Sequence, residues 1–155
     1  MIESLGPEEC DAFLREQLVG RLGCTVDDRP YVVPLIYAWD GASLYVQSIE
    51  GRKIETMRRN PRVVFEVDEY LASGNWRSVI VEGTYEELAV EEVERALELL
   101  VERFGGRRRT RGGDPPAGAP RPVAFRIRAG QITGRRVVRA IPAEHGVDVG
   151  STLSA

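Results

Sequence analysis

Hydrophobic and polar positions alternate along much of the chain, and a period of two predicts strands. Over 62–68, Val63, Phe65 and Val67 stand against Val64, Glu66 and Asp68. Val79, Val81 and Tyr85 share one face of a long strand over 76–88, with a bend at Gly83. Val123, Phe125 and Ile127 share one face of 122–128. Apolar segments over 19–26, 31–38 and 43–48 add further strands, and 132–138 is another candidate. Asp27-Asp28 and Asp40-Gly41 supply turns between them. Pro34 sits inside YVVPLIYA (31–38) and has no ladder donor, so that strand is an edge, carries a bulge or runs irregularly.

Three segments break the strand period. Pro7, Glu8 and Glu9 open a short helix, capped by Ser4 or Gly6, that turns Phe13, Leu14 and Leu18 inward. A second short helix covers 51–59 and stops at Asn60-Pro61, because Pro61 disfavours helical geometry at Asn60. Val90, Val93, Leu97, Leu100, Val101 and Phe104 recur at helical spacing and predict a third helix over 90–104. Gly, Pro and Arg dominate 105–122, which predicts a flexible loop. Residues from 140 form a C-terminal tail, leaving one domain over 1–139. About six strands with few helices predict a mainly β protein, an antiparallel barrel with helices at its ends. A parallel doubly wound sheet would need crossover helices instead.

Composition narrows the chemistry. The chain has 155 residues, 43% of them hydrophobic, enough for one core without staples. No apolar run approaches the roughly 18 residues of a membrane helix, and Met1 to Leu5 lack a basic segment followed by an apolar one, so a cytoplasmic protein is expected. A net charge of −3 argues against a dedicated nucleic-acid binder. The arginine-rich stretch 107–111 has no interleaved aromatics to stack bases, so it is expected to be a solvated loop. The single histidine, His145, lies in the tail, which excludes histidine-based zinc sites and a Ser-His-Asp triad. Cys10 and Cys24 form no CxxC pair, and no metal site is expected.

What remains is concentrated at 48–53. Ser48, Arg52 and Lys53 place a hydroxyl and two cations around the start of the second helix, where free N–H groups favour an anion. Five cations and one carboxylate, Glu55, lie between 51 and 62, and Lys53 is the chain's single lysine. A phosphate would fit there; a solvated basic helix is the plainer reading of the charge alone.

The segments PLIYAWDG (34–41), LYVQSIEGRK (44–53), NPRVVFEVD (60–68) and NWRSVIVEGTYEEL (75–88) follow one another in this order, with FRIRAGQITGR (125–135) after them. Together they resemble the pyridoxamine 5′-phosphate oxidase-like flavoproteins, especially the branch that includes nitroimidazole-resistance proteins. The likeness spans roughly residues 5–136. It implies a six-stranded antiparallel Greek-key split β-barrel, a homodimer with FMN at the subunit interface, and flavin-dependent oxidoreduction of a small-molecule substrate. It also implies site residues. The strand 31–36, with Val33, Pro34, Leu35 and Ile36, lines the isoalloxazine ring largely through its backbone. Val46 and Gln47 lie beside the flavin, Ser48, Arg52 and Lys53 hold the ribityl phosphate, and Ser78 lies near the ring or its ribityl chain. Trp76 is a candidate to stack on the flavin, or else a core or dimer-interface aromatic. In the nitroimidazole branch a histidine usually occupies the position of Gln47. An amide hydrogen-bonds but donates no proton near neutral pH, so slow or absent nitroimidazole reduction is expected. Related barrels bind the deazaflavin F420, so an F420-dependent reductase and a non-catalytic flavin-binding protein are the alternatives.

Overall fold

The computed structural model describes residues 1–105 and 117–139. The arginine-rich stretch 107–111, most of the expected loop, His145 and the tail from 140 lie outside the described residues. Eight strands and three helices are present among them: β1 (Ile2–Ser4), α1 (Pro7–Glu16), β2 (Val19–Val26), β3 (Arg29–Ile36), β4 (Ala38–Trp39), β5 (Ser43–Ile49), α2 (Arg52–Arg59), β6 (Arg62–Tyr70), β7 (Trp76–Glu87), α3 (Val90–Phe104) and β8 (Pro122–Val137). Six of the strands are long; β1 and β4 are short additions that alternation did not signal.

All pairing is antiparallel, in the order β3-β2-β6-β7-β8-β5-β4, with β1 added against β8. β5 lies beside β8 rather than beside β6, so β5 to β8 form a Greek key. Among the described residues β3 pairs only with β2, the edge position that Pro34 requires. Edge strands β3 and β4 are joined through Tyr37, so the chain itself bridges the two ends of the sheet. The result is a split barrel with helices against it.

Local chemistry sets the ends of the elements. Gly6, not Ser4, caps α1, and its N–H donates to Glu9 Oε2 at 2.8 Å. Asp27 and Asp28 both have positive φ, 50° and 56°, the geometry of a two-residue hairpin turn that Asp tolerates. Asp40 Oδ1 accepts the N–H groups of Ala42 and Ser43, each at 2.8 Å. Asn60 is extended at the end of α2, as Pro61 demands.

Two strands expected over 122–138 are one continuous strand. The ladder passes from Glu82↔Gln131 to Gly83↔Ala129 and skips Gly130, so the apparent break is a β-bulge. Gly83 fits there because a Cβ would lie 2.6 Å from the Arg128 carbonyl oxygen.

The alternating residues fill the barrel as expected: Val63, Phe65, Val67, Val79, Val81, Tyr85, Val123, Phe125 and Ile127 are buried. Phe13 and Leu14 of α1 and Ile54 and Met57 of α2 join them. Leu18 does not turn inward; it follows the helix end and is exposed. The apolar stripe of α3 is incompletely covered: Ala96 is buried, whereas Val90 and Val101 are exposed. No helix among the described residues is long and apolar enough to cross a membrane.

Candidate functional site

The barrel splits where β3 leaves β5. β4 pairs with β5 at Ala38↔Tyr45 and Trp39↔Leu44. Continuing that register would set Ile36 opposite Gln47, Leu35 opposite Ser48 and Pro34 opposite Ile49. No such pairs form; the strands part at Tyr37, which is wholly buried and whose hydroxyl donates to the Leu14 carbonyl at 2.6 Å. Two strand edges therefore border one opening, with backbone N–H and C=O groups free for a ligand. Residues 33–36 and 46–48, singled out from sequence, flank it.

Strand pleating sorts these residues by face. Val33 and Leu35 pair with Leu22 and Gly20 and pack against the core. Pro34 and Ile36 face outward and are exposed. Val46 is 1% exposed and pairs with Phe125, so any contact it makes with a ligand falls to its backbone. Ser48 shares that inner side, opposite Val123, and is half-buried. Gln47, opposite Ala124, is exposed on the other face. Within one chain Gln47 and Ser48 thus point apart.

The end of the split nearest the β2–β3 turn is closed by the start of α2. Lys53 is half-buried, and neither Arg52 nor Lys53 has a carboxylate partner among the described residues. Arg52 instead lies over the ring of Tyr31, 4.4 Å from its centroid, tying α2 to β3. A Cβ on Gly51 would meet nothing within 4 Å, so the helix start is open. This donor set, two cations beside a hydroxyl and free helical N–H groups, fits a phosphate. The α2 arginines further along are committed: Arg58 to Glu50 and Glu87, Arg59 to Asp27.

Trp76 and Ser78 are not part of this group. Both are half-buried on the outward side of β7, with Ser78 between Asp68 and Arg135 in the ladder. Ser48 is opposite Val123 and Ser78 opposite Arg135, so they pair with different ends of β8, on either side of the bulge at Gly130. The same outward side of the β3-β2-β6-β7 region exposes Val32 (66%), Ile36 (52%), Val64 and Ile80. Gly23 lies between Val32 and Val64 in the ladder and floors a shallow cleft of about 600 Å³ there.

Three further side chains near these elements are structural. Trp39 is buried and donates its indole N–H to Asp11 Oδ1 at 2.8 Å. Burial pushes the Cys24 thiol up, partly offset by Arg52, which is the reverse of a reactive thiolate. Burial likewise holds the Tyr37 phenol well above its ordinary range. Sequence reading passed over Arg29. It lies with Arg52 and Arg59 in a second groove, lined also by Val26, Asp27, Glu55 and Thr56. The spacing 52, 55, 56, 59 is one helix face and was legible; its meeting with the hairpin turn was not.

The comparisons with known proteins agree with this fold. A family model described as pyridoxamine 5′-phosphate oxidase matches residues 6–136. The crystal structure of an FAD-binding protein from Mesorhizobium loti is 38% identical, with 89% of this chain and 99% of that chain covered and a TM-score of 0.70. A candidate 5-nitroimidazole antibiotic resistance protein from Bacteroides thetaiotaomicron superposes with a TM-score of 0.73 over 88% of this chain and 87% of that one. At 21% identity that likeness is one of fold. The uncharacterized protein RA0666 of Rhizobium meliloti (strain 1021) is 40% identical over 87 residues, 56% of this chain and 58% of the relative. The match thus spans less than two thirds of that relative's length.

Proposed function

Because the chain belongs to the pyridoxamine 5′-phosphate oxidase family, we propose that it is a flavoprotein: it binds FMN, free or as the corresponding half of a larger flavin, at the barrel split and serves as a flavin-dependent oxidoreductase for a small-molecule substrate. The observation that carries this reading is the pair of cations, Arg52 and Lys53, at the open start of α2 beside two strand edges, with no carboxylate partner among the described residues. The FAD-binding relative from Mesorhizobium loti, at 38% identity, supports a flavin.

A bound flavin supplies the electron or hydride chemistry. The chain's part is to anchor and orient it. Arg52, Lys53 and Ser48 hold the phosphate, and the backbone edges 33–36 and 46–48 meet the ring. Gln47 is exposed and neutral, so it can accept or donate a hydrogen bond but delivers no proton of its own between pH 5 and 8. Protons for the reaction then come from solvent or substrate.

The working unit is a homodimer. Ser48 lies on the inner side of β5, whereas Trp76 and Ser78 lie on the outward side of β7, away from the start of α2. A second copy seated on the exposed apolar residues Val32, Ile36, Val64 and Ile80 would bring the two sets together and bury the flavin between subunits.

The absorbance spectrum of the purified protein tests the cofactor. Bound flavin gives two visible bands, F420 one band at shorter wavelength. A colourless protein that takes up neither refutes the reading. Bleaching by a reduced nicotinamide, with colour restored by an electron acceptor, supports turnover; a bound flavin that no such donor reduces favours a non-catalytic binder. Light scattering that finds a monomer of about 17.2 kDa with its flavin fully bound refutes the shared site.

A further inference from the structure

We propose that the flavin site continues past Arg52 into the second groove, and that this groove takes the adenylate half of FAD, with Arg29 as the residue that selects it. The proposal rests on the flavin reading above and deepens it.

β3 gives the direction. Ile36 and Pro34 border the split at one end of the strand, Tyr31 carries the Arg52 guanidinium nearer the other, and Arg29 begins the strand at the hairpin turn. A flavin with its ring near 33–36 and its phosphate on Arg52 therefore has its phosphate end aimed at Arg29. There the groove opens, about 690 Å³, lined by Val26, Asp27, Arg29, Arg52, Glu55, Thr56 and Arg59. That volume lies within the range of small-molecule pockets. Arg52 borders both places, so a pyrophosphate held on its guanidinium can have one phosphate at the split and the next in the groove.

The charges favour an adenylate over an oligoanionic tail. Three arginines face two carboxylates, and Arg59 is held by Asp27 at 2.8 Å. Arg29 has no carboxylate partner among the described residues and is exposed. One free guanidinium beyond Arg52 matches one further phosphate, and its planar face can stack on a purine. A run of glutamates, as on F420, would instead meet Asp27 and Glu55.

Calorimetric titration of apo-protein with FMN, FAD and F420 tests this in the wild type, Arg29→Ala and Arg52→Ala. FAD should bind the wild type at least about 10-fold more tightly than FMN, the effect of one charge-assisted contact. Arg29→Ala should lower FAD affinity by about the same factor while FMN binding, which also reports an intact fold, changes less than twofold. Arg52→Ala should weaken both. Equal wild-type affinities, or an Arg29→Ala effect that is absent or falls equally on FMN, overturns the adenylate groove and leaves the anchored flavin standing; a preference for F420 overturns the adenylate groove and the FMN reading together. Binding of none of the three overturns both.

Discussion

Removing the Arg52 guanidinium separates the anchoring of the phosphate from the stability of the barrel. In the free protein its described contact is the face of Tyr31 at 4.4 Å, a cation–π pair at an exposed site worth about 0.5–1 kcal/mol. Arg52→Ala should therefore fold, with a small loss of stability. On binding, the same group makes charge-assisted hydrogen bonds worth about 1.5–3 kcal/mol, and no neighbouring carboxylate has to be given up first. FMN affinity should fall by about 10- to 150-fold, and Lys53→Ala should act in the same direction. Riboflavin, which lacks the phosphate, provides the internal comparison. It should bind the wild type far more weakly than FMN and bind the Arg52→Ala variant equally weakly. Flavin fluorescence titration of apo-protein measures all of these. Unchanged FMN affinity in both single variants, or a riboflavin loss as large as the FMN loss, would show that the cations at α2 do not hold the phosphate.

Three further outcomes follow from other parts of the structure. Gly20→Ala should destabilise the fold by about 3 kcal/mol or more in chemical denaturation, because a Cβ there would lie 2.2 Å from the Phe65 ring and 2.8 Å from the Glu66 carbonyl; a loss under about 1 kcal/mol would mean that the ring moves freely. Glu86, held by Arg128 and Arg126, has its carboxyl lowered from 4.5 to about 2, so its contribution is present above about pH 4.5 and fades as pH falls toward 2. With solvent screening, Glu86→Gln should cost about 1 kcal/mol at pH 7 and flatten the stability curve across that window; an unchanged acid limb would contradict the ion pairs. Reduced wild-type protein should be oxidised slowly by a nitroimidazole, and Gln47→His should speed this by about 100-fold with a new pH dependence near neutrality, read in single-turnover oxidation; fast wild-type oxidation would show that the histidine is dispensable.

Much of this was legible along the chain, and the reasons differ by element. α3 was found over its full length because its apolar residues recur at 3.6, and β6 because polar and apolar residues alternate without interruption. The bulge at Gly130 looks like a break in the sequence, since a glycine-containing segment between two apolar runs has the same composition whether the strand turns or kinks. β4 is two residues long, too short to carry a period, and yet it fixes where the barrel splits. At the candidate site, local spacing groups Ser48, Arg52 and Lys53 because they lie within five positions of one another. Tyr31 beneath Arg52 and Arg29 beside Arg59 depend on β3 folding back against α2, a contact of long sequence separation that no local pattern encodes.

Charge gives the last step. A net charge of −3 over 155 residues describes the surface as a whole and conceals the site. Most arginines of the barrel are spent on carboxylates: Arg21 on Glu66 and Asp68, Arg77 on Glu16 and Glu69, Arg126 and Arg128 on Glu86, Arg136 on Glu3 and Glu9. Such exposed pairs each contribute little to stability, but they remove the cation from service to a ligand. Among the described residues, Arg29, Arg52 and Lys53 have no such partner; Arg29 and Arg52 line one groove, and Lys53 follows Arg52 at the start of α2. Arg135, beside Ser78 in the ladder, is likewise without one, as are Arg62 and Arg139. An anion choosing among these cations meets the least competition where two or more of them converge on an open backbone, and that condition holds at the start of α2.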